Sequence, residues 1–205
     1  MNGRRLLAVM VGTAMAFAAA GSARAQNITQ AEKDKAVAVL ESSKKGVLEA
    51  TNGLSEAQWN FKAAQDKWSI AECMEHIAAA EDFIRGLDEN NVMKAPAAPG
   101  RDTAKIDAGV LEHVPDRSVK AQAPEPIKPT NRYGSPEASI KHFVESRAIT
   151  EEFVKTTLDL RGHAIDGPGG QKLDAYEWVL LIAAHSERHT KQIEEVKANP
   201  DYPKK

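Results

Sequence analysis

The chain has 205 residues, of which 27 are basic, 29 acidic and one a cysteine. The net charge of −2 is mildly acidic and argues against nucleic acid as a partner. The lone Cys73 rules out an internal disulfide, so stability must come from packing or a bound ion.

The N-terminal stretch reads as a targeting leader. Arg4-Arg5 precede an apolar run from Leu6 to Ala20, and small residues follow at Ala23-Arg24-Ala25. Residues 1–25 are therefore expected to be a cleavable signal peptide, the arginine pair suiting either general or twin-arginine export. The run falls short of the roughly 20 apolar residues that a spanning helix needs, and no later run approaches it. The leader holds three arginines and no acid, which leaves residues 26–205 at −5. That remainder has the length of one domain with one core, and a periplasmic or secreted location is expected for it.

Four helices are predicted within residues 26–205. The first opens at Thr29-Gln-Ala-Glu32, a capping box in which hydroxyl and carboxylate satisfy each other's exposed backbone amides, and runs through Val37, Leu40 and Val47 toward a stop at Gly53. After a short turn containing Ser55, Gln58 and Trp59, the second box, Ser69-Ile-Ala-Glu72, starts a helix whose apolar side collects Ile70, Cys73, Ile77, Ala80, Ile84 and Leu87. His76 lies on that same side and is expected to face inward.

A long Pro-rich segment, residues 90–134, separates this helix from the third, with one weak helical turn expected between Asp102 and Glu112. A connection of that length in a compact domain is usually a functional cover or disordered. Ser135-Pro136 opens the third helix, whose less regular stripe carries Ile140, Phe143, Val144, Phe153, Val154 and Leu158. The fourth opens at Asp174-Ala-Tyr-Glu177, with Leu173 and Trp178 placed for a hydrophobic staple, and ends before Asn199-Pro200. Its inward face reads Val179, Ile182, His185, His189, Gln192 or Ile193, and Val196. Nothing reads as a strand, so the expected class is all-α.

His185 and His189 stand one turn apart, rotated by only about 40° on the helix, so both imidazoles can converge on one cation. Metal binding needs neutral imidazoles with lone pairs aimed at one point, and three of them leave a fourth position open. Burying such rings without a shared partner would leave polar nitrogens unsatisfied at about 1 to 3 kcal/mol each. The zinc-protease helix places a glutamate directly after its first histidine; here that position is Ser186, and Glu187 is rotated onto the opposite, solvent-facing side. Gln192 is expected to satisfy a neighbour and Cys73 to be inert core. His113, His142 and His163 read as surface or loop residues, Asp166-Gly-Pro-Gly-Gly170 as a turn, and the three tryptophans as packing anchors.

Trp68-Ser69-Ile70-Ala71-Glu72 leading to His76-Ile77, together with His185-Ser-Glu-Arg-His189-Thr-Lys-Gln-Ile193, resembles the two signatures of the DinB/YfiT superfamily of metalloenzymes. The resemblance spans roughly residues 29–202. It implies a four-helix bundle with a long crossover between helices two and three, and a divalent metal, zinc or nickel, held by His76, His185 and His189. Activities implied by it are metal-dependent hydrolysis and thiol-dependent transfer, with a non-catalytic metal- or ligand-binding stress protein as the alternative. The expected partner is a small-molecule substrate of unassigned identity; neither nucleic acid nor membrane is expected, and a homodimer is compatible with this reading.

Overall fold

The computed structural model describes residues 27–204, so the leader expected over residues 1–25 lies outside the described residues. Six α-helices order along the described residues: α1 Gln30–Thr51, α2 Glu56–Asn60, α3 Ile70–Asn90, α4 Thr103–His113, α5 Pro136–Thr156 and α6 Ala175–Lys197. None of them is long and apolar enough to cross a membrane.

The long helices begin where their caps dictate. Reciprocal capping boxes close the N-termini of α1 (Thr29 with Glu32), α3 (Ser69 with Glu72) and α6 (Asp174 with Glu177), and α2 has one as well (Ser55 with Gln58). Each satisfies two amides that the helix itself leaves unpaired. Past the end of α1, Gly53 takes the left-handed conformation (φ 63°) that ends a helix without strain.

Helices α1, α3, α5 and α6 form the bundle. The packed pairs are α1 with α5 and α6, and α3 with α5 and α6, so α1 and α3 stand on opposite corners. The chain reaches α5 only after the crossover, within which α4 packs on α6 and 3-10 turns form at Val92–Lys94 and Glu125–Ile127. The single weak turn expected there is a helix of 11 residues, started by Asp102, whose carboxylate accepts from the Lys105 amide at 3.2 Å.

One correction concerns strands. A two-stranded antiparallel hairpin, β1 Ala164–Asp166 with β2 Lys172–Asp174, precedes α6, with Ala164 opposite Asp174. Three-residue strands are too short to print an alternating pattern in the sequence. The expected turn at Asp166–Gly170 is what makes the hairpin, since Gly169 and Gly170 adopt φ of 73° and 79°, which side chains disfavour. The last residue of β2, Asp174, is also the cap of α6, so the hairpin fixes where that helix starts.

The buried apolar residues form two clusters. One contains Leu40, Ile84, Val154 and Ala184; the other contains Val47, Ile77, Phe143 and Ile193. Each of the four long helices carries polar residues at the boundary: Ser43 on α1, Glu81 on α3, Arg147 and Thr150 on α5, Ser186 on α6. They bond to one another. Arg147, fully buried, donates to both Glu81 oxygens (2.8 Å each), Ser186 Oγ (2.9 Å), Ser43 Oγ (2.8 Å) and the Leu40 carbonyl (2.5 Å). This layer explains the irregular stripe of α5: Val144, expected inward, is 38% exposed, while Ser146, Arg147, Thr150 and Glu151 are buried; Leu158, expected on the same helix, lies past its end at Thr156 and is 57% exposed.

Candidate metal centre

His76 lies on α3, two turns beyond its capping box, and His185 and His189 lie on consecutive turns of α6. The setting of α6 is fixed at its start. Arg101 and Arg161, from the crossover and from the segment before β1, pair with the buried carboxylates of Asp174 and Glu177. Arg161 also lies over the Tyr176 ring, 4.0 Å from its centroid. Burial and the neighbouring Asp174 charge push the Glu177 carboxyl up to about 7.

The three imidazoles meet. Nε2 of His76 stands 3.1 Å from Nε2 of His185 and 3.1 Å from Nε2 of His189, and the three donor atoms all fall within 4.8 Å of one another. His76 and His189 are buried, while His185 keeps partial exposure. Trp68, expected as a packing anchor, covers the site: its ring centroid lies 4.8 Å from that of His76 and 6.1 Å from that of His189.

Hydrogen bonds settle two of the three tautomers. Nδ1 of His76 lies 2.7 Å from the Ile127 carbonyl, which can only accept, so the ring proton sits on Nδ1 and Nε2 carries a bare lone pair. Nδ1 of His189 lies 2.8 Å from Gln192 Oε1, again an acceptor, so its Nε2 is bare too. Burial lowers the pKa of all three rings; like charge on neighbouring imidazoles adds to this at His185, which falls to about 3, and at His189. All three rings are therefore neutral at physiological pH.

Two bare lone pairs 3.1 Å apart repel unless a cation or proton sits between them, and both ring protons are committed elsewhere. Ligand nitrogens of a tetrahedral zinc at about 2.0–2.1 Å stand roughly 3.3–3.4 Å apart, close to the spacing here. The donor set therefore fits a borderline divalent ion.

The crossover supplies the supports that sequence reasoning missed. Beside His76, the Glu75 carboxylate accepts from the backbone amides of Thr130 (2.7 Å), Asn131 (2.8 Å) and Arg132 (3.1 Å), which holds the stretch carrying the Ile127 carbonyl. Those bonds keep the Glu75 carboxyl below its usual range despite burial. Arg188, on α6, donates to the carbonyls of Val114 (3.2 Å), Asp116 and Val119 (2.5 Å), and so pins the first part of the crossover. A carboxylate beside a candidate ligand is a visible signal; the partners of Arg188 are set by tertiary structure alone.

The remaining candidates fall outside the cluster. Cys73 is fully buried, and its thiol is pushed up to about 12 by burial, which makes it inert as expected. Glu187 is exposed and pairs with Lys191. His113 is exposed on α4. His142 sits half-exposed at the seam of α3 and α5, 2.5 Å from Asp82, and Nδ1 of His163 donates to the Ala95 carbonyl, which as an acceptor puts the proton on Nδ1.

The DinB superfamily model matches residues 40–193, a span that contains all three histidines. The chain belongs to the DinB superfamily. Among curated relatives, this DinB protein is 25% identical over 149 residues to the uncharacterised protein YuaE of Bacillus subtilis (strain 168), covering 71% of this chain and 86% of YuaE. Among solved structures it is similar to YfiT from Bacillus subtilis, described as a probable metal-dependent hydrolase with an unusual four-helix bundle topology. The two share 16% identity and a TM-score of 0.55, with 87% of this chain and 93% of YfiT covered, which establishes the shared fold.

Proposed function

We propose that this protein binds a divalent cation, zinc or nickel, through His76, His185 and His189, and uses it in a hydrolytic or thiol-dependent transfer reaction on a small molecule. One observation carries the reading: the Nε2 atoms of His76 and His189 face each other at 3.1 Å with both ring protons engaged on other acceptors. When bound, such an ion supplies Lewis acidity, lowering the pKa of a water or thiol ligand toward neutrality.

The residues of the chain have separate parts in this scheme. His76 and His189 are the buried, oriented donors, and His185 is the donor nearest solvent. Trp68 shields two of the rings from water. The donor group contains three side chains and no fourth among the described residues, which favours an open, reactive site over a closed structural one. The description of YfiT as a probable metal-dependent hydrolase supports the same direction. The leader read in residues 1–25 would carry this chemistry out of the cytoplasm.

Elemental analysis of protein purified from the export compartment, followed by reloading with zinc or nickel and a screen of ester and thiol-plus-electrophile substrates, tests the proposal. One ion per chain and turnover that disappears with a chelator are expected. No bound ion after divalent metal is supplied would overturn it.

A further inference from the structure

Among the described residues, Gln192 is the only hydrogen-bond partner of His189 Nδ1, and a glutamine amide has two chemically opposite ends. With the oxygen toward His189, Nδ1 must carry the proton and Nε2 is free to ligate. With the amide reversed, the NH2 group would donate to Nδ1, the proton would move to Nε2, and the ring would present a donor where a lone pair is needed. Something must choose between the two.

Arg117 makes the choice. Its Nη1 lies 3.1 Å from Gln192 Oε1, and a guanidinium can only donate, so the atom facing it must be the oxygen. Arg117 is itself locked by a bidentate pair with Glu195, Nε to Oε1 at 3.0 Å and Nη2 to Oε2 at 2.8 Å. The fork geometry leaves Nη1 aimed at Gln192. The arginine comes from the crossover, in the stretch whose carbonyls Arg188 holds, whereas Gln192 and Glu195 lie on α6 with the histidine.

We propose that Arg117 is a positioning residue of the metal centre: by fixing the amide of Gln192 it selects the Nδ1–H tautomer of His189 and keeps Nε2 available for the ion. This rests on the three-histidine reading above. It makes the crossover part of the outer coordination sphere, because a segment that leaves α6 takes the tautomer lock with it. Outer partners of ligating histidines typically change metal affinity by about 10 to 100-fold when removed.

The test uses the full chain, freed of metal and labelled with 15N in its histidines. Long-range 1H–15N spectra report the tautomer directly, and competition with a chromophoric chelator reports zinc affinity. Wild type is expected to show His189 protonated on Nδ1. Arg117→Met is expected to populate the Nε2–H form and to bind zinc about 10-fold or more weakly. Adding Gln192→Glu to Arg117→Met places a carboxylate, which only accepts, against Nδ1, and so is expected to restore both the tautomer and the affinity without the arginine. The inference is overturned if Arg117→Met keeps the Nδ1–H form with affinity within about twofold of wild type. It is equally overturned if the double variant binds as weakly as the single one, which is what a purely structural arginine would give. If no form, wild type included, binds zinc yet the tautomer responds as described, the role of Arg117 stands and the metal reading fails.

Discussion

Replacing Arg147 with methionine tests the polar layer that divides the core. The substitution keeps an unbranched chain of similar reach but deletes a guanidinium whose donors reach Glu81 twice, Ser186, Ser43 and the Leu40 carbonyl. Ser186 still donates to the Ile182 carbonyl at 3.1 Å, so it keeps a partner. Glu81 does not fare as well: its carboxylate, fully buried, is left with the Thr150 hydroxyl at 2.8 Å. Breaking a buried pair and stranding one charge costs about 3–5 kcal/mol. At about 2–4 °C per kcal/mol for a chain of this size, the melting temperature should fall by roughly 6–20 °C. Urea and thermal unfolding followed by circular dichroism measure this. Combining Arg147→Met with Glu81→Leu removes the stranded charge and should recover most of the loss. A single variant within about 1 kcal/mol of wild type, or a double variant no better than the single, would refute the reasoning.

Three further outcomes are expected. Asp88 is fully buried with neither carboxyl oxygen hydrogen-bonded among the described residues, and burial holds its pKa well above the ordinary value, so the folded state keeps a proton that the unfolded state releases. The folded form binding more protons means that stability falls as pH rises from about 4 toward the folded pKa; Asp88→Asn should therefore stabilise the protein, and urea midpoints should show the gain growing, not shrinking, as pH rises from about 4 toward that pKa. Glu75→Gln weakens the hold on Thr130–Arg132, so hydrogen exchange there should quicken and zinc affinity fall by about 10-fold or more through the Ile127 carbonyl; unchanged exchange would contradict this. His142→Ala, outside the triad's donor group, should leave metal content unaltered by elemental analysis, whereas His185→Ala should remove most of it.

Much of the site was legible because helical periodicity is a local property. The capping boxes at Thr29, Ser69 and Asp174 set the start of three long helices, and from those starts the 3.6-residue repeat places His76, His185 and His189 on inward faces. The inward turn of Arg147 was not legible, since a charged residue is buried only when its partners, here on three other helices, are already in place. The hairpin escaped because three-residue strands carry no period, whereas the helical turn expected from Asp102 to Glu112 is α4, Thr103–His113, within one residue at each end. Trp68 announces a helix start in the sequence; that it also roofs the histidines follows only from how α3 and α6 cross.

X-ray absorption at the zinc edge of the metal-loaded full chain addresses the centre most directly. Three imidazole nitrogens at about 2.0–2.1 Å with one further light-atom ligand are predicted, the imidazole count falling to two in His76→Ala. A sulfur shell, an oxygen-only shell, or an unaltered spectrum in His76→Ala would contradict the assignment of the ion to His76, His185 and His189.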